Sequence, residues 1–198
     1  MVREALKRLE ALNLVAIRQG SGIVVQDLDM AGGMEITRLL LKREDNTVDR
    51  GFLNDLLDFR EQIGQTIVRL AAENRTDEEL ARMKELLAER RLAFHDQKKL
   101  NDINSELLQL FAQATHNRVY QMVLNTLIRL LFELRAKYSI PTELILQVQR
   151  VLEQIVSAIE QRDGEVAGLL AGRHAILMRK QLEHLARAED TETPPSQP

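Results

Sequence analysis

The chain has no cysteine and no tryptophan, and only four prolines, nine glycines, five phenylalanines and two tyrosines in 198 residues. Without cysteine there is no disulfide and no thiolate nucleophile or metal ligand. With so little glycine and proline to punctuate them, the long stretches rich in Leu, Glu, Arg and Ala default to helix. Scarce aromatics require an aliphatic core. No apolar run reaches membrane-spanning length and no signal peptide opens the chain, so a cytoplasmic protein without a membrane partner is expected. Catalytic signatures are missing too. There is no HExxH, no nucleophile elbow and no glycine-rich phosphate loop, and His174 has no sequence-evident partner, so an enzyme is not expected.

What is present is globular: 44% hydrophobic and 29% charged residues, enough for one domain of about 150 residues and a smaller piece. The net charge of −3 is unevenly spread. Arg3, Lys7, Arg8 and Arg18 against Glu4 and Glu10 give the first 25 residues +2, leaving −5 for the rest. A basic tip on an acidic body suits a protein that touches DNA with one end.

The run from Val2 to Asp27 is the most informative stretch. Ala5, Leu6, Leu9 and Leu12 follow helical spacing, and Asn13, which tolerates left-handed backbone, supplies a stop. Val15-Ala16-Ile17 and Ile23-Val24-Val25 then flank a Gly-containing turn at Arg18–Gly22, a hairpin signal. A basic helix followed by a hairpin is what a DNA-reading helix and its wing require. An ordinary helix–hairpin at a domain edge stays open as the plainer reading. A membrane-surface helix over residues 2–12 is disfavoured by its shortness and by Glu4 and Glu10.

Residues 28–33 read as a linker, and beyond them only helices are expected. Met34–Leu41 forms a short one that stops near Asp45-Asn46. Phe52–Asn74 follows, and then a helix to about Ala93 opened by the capping box Thr76-Asp77-Glu78-Glu79, with Leu80, Met83, Leu86 and Leu87 inward. Leu100–Ala114 and Arg118–Tyr138 are split at His116-Asn117. Pro141 forces a break, with Thr142 close to the start of another helix, and Asp163-Gly164 precedes a last one to about Ala186. Residues 188–198 read as a disordered tail. The fold class is therefore mainly α: a winged-helix remnant of helix plus β-hairpin over 1–27, then an antiparallel bundle of six to seven helices over 34–187, with room for a cavity.

Three stretches together resemble the GntR superfamily of bacterial transcription regulators, in the branch with a FadR-type (FCD-like) C-terminal helical domain. They are Val2-Arg3-Glu4-Ala5-Leu6 through Arg18-Gln19-Gly20-Ser21-Gly22, Phe59-Arg60 with Leu70-Ala71-Ala72, and Ala112-Gln113-Ala114-Thr115-His116-Asn117. The resemblance implies an operator-binding, homodimeric regulator whose helical domain binds a small effector. It assigns DNA contacts to Arg3, Lys7 and Arg18, with Gln19 and Gly20 at the wing tip. The family's head normally opens with two further helices, so the head here reads as truncated, and DNA binding is expected of a longer parent.

Most members of that branch hold a divalent metal. The matching positions here are Asn104, Leu108, Leu152 and His174, of which only the last is a usual ligand, so neither a metal nor another cofactor is expected. Loss of those ligands is shared with fatty-acyl-CoA-responsive members, and Leu108 and Leu152 would suit an acyl chain. Arg60 and Tyr138 match polar positions that such members use near the ligand. The resemblance thus groups Arg60, Asn104, Leu108, Tyr138, Leu152 and His174 around an effector, with a long-chain acyl or other amphipathic acid as leading class. Arg60 as a plain bundle ion pair and Tyr138 as helix-end packing stay open beside this. The rival function is a stand-alone sensing and dimerisation module that has lost DNA binding.

Overall fold

The structure, a computed structural model, describes residues 1–18, 22–28, 32–41, 47–135 and 140–192, and the side chains of 35, 133–135 and 183–192 are left aside. Its residues fall into two compact units, Met1–Phe52 and Leu53 onward. The linker expected at 28–33 is therefore not where the units part. Residues 34–52 cluster with the head instead.

In the first unit, helix α1 (Val2–Ala11) ends where Asn13 adopts φ 57°, the left-handed turn expected of it. Strands β1 (Val15–Arg18) and β2 (Gly22–Val25) pair antiparallel, with Val15 opposite Val25 and Arg18 opposite Gly22. The Leu14 amide bonds to Leu9 O and the Gln26 amide to Leu14 O, tying the hairpin's open end to the end of α1. A 3-10 turn at Met34–Ile36 leads into the short helix α2 (Thr37–Leu40). The stop expected near Asp45-Asn46 lies outside the described residues.

The second unit is a bundle of six long helices among the described residues. These are α3 (Arg50–Asn74), α4 (Asp77–Leu92), α5 (Gln97–Gln113), α6 (Arg118–Arg135), α7 (Thr142–Glu160) and α8 (Gly164–Glu192). Local chemistry sets the starts of two of these helices. Thr76 Oγ1 accepts the Glu79 amide at 3.2 Å while Glu79 accepts the Thr76 amide at 2.9 Å, the reciprocal box read in the sequence. Asp96 caps α5 through the Lys99 amide at 2.9 Å. His116 (φ 55°) and Arg162 (φ 57°) turn the chain just beyond α5 and α7. The last helix runs to Glu192 and so occupies residues 188–192, which the sequence placed in a tail. Residues 193–198 lie outside the described set.

Short loops reverse the chain between helices, and cross-bundle pairs report the packing. Arg91 Nε donates to Glu153 at 2.8 Å and Lys84 Nζ to Glu160 at 2.6 Å, so α4 and α7 run antiparallel. Helix α8 lies antiparallel to α3. A Cβ on Gly168 would come within 3.3 Å of the Gln65 carbonyl oxygen, and one on Gly164 within 3.1 Å of the Arg69 carbonyl. Glycine at these two positions is what lets α8 approach the α3 backbone so closely. The core is almost wholly aliphatic. Met83, Leu86 and Ile159 are fully buried, and Phe111 is its one fully enclosed aromatic among the described residues.

Candidate effector cavity and basic head

Helices α3, α5, α6, α7 and α8 enclose a cavity of about 50 Å³ inside the second unit. Every side chain lining it is hydrocarbon or thioether, except two: Arg60 from α3 and His174 from α8. Leu108 from α5 and Leu152 from α7 form part of the wall, with Phe111 and Met178. Four positions that the resemblance grouped from distant parts of the sequence therefore converge, namely Arg60, Leu108, Leu152 and His174. Tyr138 lies outside the described residues.

Arg60 is the chemically distinctive member. Burial pushes its guanidinium down to about 10, so it keeps its charge at neutral pH while having lost much of its hydration. No hydrogen bond or ion pair is recorded for it among the described residues. The plain ion-pair reading of Arg60 thus finds no carboxylate partner among them. Asp58, two residues back on α3, is taken up by Arg179 of α8. A desolvated cation facing an apolar space is an anion-binding arrangement, because a ligand carboxylate would replace the water that burial removed.

Asn104 does not join this group, and that expectation is corrected. Its amide oxygen accepts Arg90 Nε at 2.8 Å, and it does not line the cavity. Arg90 is 2% exposed and burial lowers it to about 10. Its Nη1 donates to Gln149 Oε1 at 2.7 Å, and the Gln149 amide donates to Leu87 O and to Glu153. Hydrogen bonds from Arg91 and Gln149 help hold Glu153 below the usual carboxylate range. Asn104 is thus a structural acceptor for a buried arginine that ties α4, α5 and α7 together. The spacing of its sequence neighbours did not reveal this, since Arg90 comes from a different helix.

A divalent metal fits this site poorly. Its lining offers one imidazole and a guanidinium, where stable coordination needs three or four donors. Among the described residues no three His, Asp or Glu side chains gather anywhere in a ligating cluster. The long acyl chain meets a different obstacle. At about 50 Å³ the cavity is far below the roughly 300–1,000 Å³ typical of pockets for larger ligands, so an extended chain would enter only if the helices parted.

Several wall residues were not singled out in the sequence, among them Phe111, Leu124, Ile128, Ala171, Ala175 and Met178. They obey the i, i+3, i+4, i+7 spacing of any buried helix face. Spacing alone cannot tell a cavity wall from a filled core.

In the first unit Arg3 and Lys7 stand one turn apart on exposed α1, and Arg18 is exposed at the tip end of β1. Gln19 and Gly20 lie outside the described residues. The paired strands, and the Ile17 amide 3.4 Å from Glu10 Oε1, fix the strand that carries Arg18 against the C-terminal part of α1.

Comparison with known proteins fits this geometry. The family model described as FCD domain matches residues 55–177, which hold α5, α6 and α7 in full, most of α3 and about half of α8. The chain belongs to the FCD domain family. It is 28% identical over 134 residues to LutR of Bacillus subtilis, an HTH-type transcriptional regulator, covering 67% of this chain and 58% of LutR. It is 38% identical over 82 residues to Mce2R of Mycobacterium tuberculosis, also an HTH-type transcriptional regulator, covering 41% of this chain and 33% of that protein. The chain thus spans little more than half, or less, of the curated relatives it matches. In fold it is similar to Streptococcus agalactiae GntR, with TM-score 0.62, 20% identity and 91% and 80% of the two chains covered. McbR/YncC of E. coli gives TM-score 0.61 at 18% identity over 94% and 83%. No described helix is long and apolar enough to cross a membrane.

Proposed function

We propose that this protein is a ligand-responsive, DNA-binding transcription regulator that works in the cytoplasm as a homodimer, its helical domain sensing the effector. One observation carries the reading: the desolvated Arg60 guanidinium, without a partner among the described residues, opens on an otherwise apolar cavity within the FCD domain. An acidic small molecule seated there would bear on five helices at once. Their altered packing would shift the populations of arrangements that set the spacing of two DNA-reading heads in a dimer. Arg3, Lys7 and Arg18, with Gln19 and Gly20 at the wing tip, would meet operator DNA. The HTH-type regulators among its relatives support a regulator over an enzyme.

A second reading, a sensing and dimerisation module without DNA activity, is favoured by one feature of the head. Helix α1 buries none of its side chains, so the head has little core to hold a reading helix rigid. A gel-shift titration on this chain and on a longer form with a winged helix of a related regulator fused ahead of the bundle separates the two. Specific binding by the longer form, altered by an acidic effector and lost in Arg60→Gln, is the expected result. Binding that ignores every effector would sink the regulator reading, and specific binding by the short chain would sink the second.

A further inference from the structure

We infer that the cavity is built for a short-chain monocarboxylic acid, its carboxylate on Arg60 and its tail against Leu108, Phe111 and Leu152, with no metal ion bridging protein and ligand. The inference rests on the proposal that this cavity is the effector site, and it narrows the chemistry of the occupant.

The first support is the charge the walls can meet. Arg60 is the one permanent cation among the lining residues, and His174 is the one other polar side chain. A single carboxylate would pair with the guanidinium through two hydrogen bonds. A second carboxylate on the same molecule would be pressed against leucine, isoleucine and phenylalanine without a donor, which is strongly unfavourable. The second support is the donor count. With one imidazole and no carboxylate in the wall, a metal would have to take most of its ligands from the acid itself, so direct pairing with Arg60 is the better-matched bond.

The third support is size. The space is about 50 Å³, where an apolar cavity of about 150 Å³ holds a benzene ring, so a tail of only a few carbons fits between the helices. Small side chains at Ala171 and Ala175 and flexible Met178 leave limited room for adjustment on the α8 side.

The test is a thermal-shift and calorimetric titration of the full chain with straight-chain acids from acetate to dodecanoate, with succinate and with palmitoyl-CoA. Each is run with EDTA and again with added zinc. Affinity is expected to peak at about two to four carbons and to be unchanged by EDTA or zinc. Arg60→Gln is expected to weaken the best acid by about tenfold or more while leaving the helical circular dichroism intact. Leu108→Ala, which enlarges the wall without touching the charge, is expected to move the optimum about one or two carbons longer. A preference for succinate, affinity still rising at dodecanoate or palmitoyl-CoA, or binding that needs zinc would overturn this inference while leaving an effector site in place. If no acid shifts the melting temperature, both this inference and the effector reading of the cavity fail.

Discussion

The helix–hairpin at residues 2–25 and the helical bundle are built from similar residues and end in opposite states. Helix α1 has apolar residues on one face, yet none of its side chains is buried, and in the hairpin only Val15 is. Valine 25 is 76% exposed and Leu9 37%. In the bundle the same leucine and valine types form one continuous core from Ile67 to Met178. Amphipathic spacing is therefore a request for a partner surface. Its stabilising effect, roughly 25 cal/mol per Å² of apolar area covered, arrives only when a partner is present. The bundle supplies that cover, and α1 and its hairpin lack it.

The sharpest way to break that comparison is to truncate one leucine in each unit. Leu86→Ala in α4, at a side chain with no exposure, is expected to destabilise by about 2–5 kcal/mol in urea unfolding. Leu9→Ala in α1 is expected to change stability by less than about 0.5 kcal/mol. Equal losses at both positions would show that α1 is covered in solution by something other than its own unit.

Next in size is the buried arginine. Arg90→Met keeps the apolar stem but leaves the Asn104 and Gln149 oxygens without their donor inside the bundle. A loss of about 2–4 kcal/mol is expected by the same measurement. Charge removal at Arg60 should act in the other direction. Since Arg60 has no partner to lose among the described residues, Arg60→Leu is expected to stabilise the ligand-free protein by about 1 kcal/mol and to abolish stabilisation by acids. That contrast between two desolvated arginines, one satisfied and one not, separates a structural cation from a binding one. A ligand-free protein destabilised by Arg60→Leu would place Arg60 with Arg90.

The smallest effect belongs to a local signal. Thr76→Ala removes the acceptor for the Glu79 amide and is expected to cost about 1 kcal/mol, read as a fall in melting temperature. Arg82 pairs with Glu85, Glu89 and Glu106 at the bundle surface, and Arg82→Gln should change little, with the change shrinking further in salt.

Much of this was legible beforehand where the cause is local. Thr76 and Glu79 three residues apart define a capping box in any context, and Asn13 could be read as a left-handed stop because few other residues accept that backbone. The two short apolar runs around Gly22 were a hairpin for the same reason. Elements were missed at their edges where local signals are weak. Nothing between Ala186 and Glu192 is glycine or proline, so α8 continues to the end of the described residues instead of stopping early.

The site divides along a similar line. Arg60, Leu108, Leu152 and His174 were grouped through family resemblance, and composition and spacing would not have joined them. Asn104 was grouped with them and proved to serve Arg90. From spacing alone each lies on an apolar helix face, and faces carry no record of which neighbour they meet.

By itself the sequence determined the helix count to within one, the Thr76–Glu79 capping box, the Asn13 stop, the hairpin and the lack of a thiol. These follow from backbone preferences and residue chemistry acting over a few neighbours. Tertiary structure alone decided which arginine is satisfied and which opens on a cavity, how small that cavity is, and that the head keeps its apolar stripe uncovered. Those outcomes depend on contacts between residues far apart in the chain, where volume and charge compensation are settled by packing.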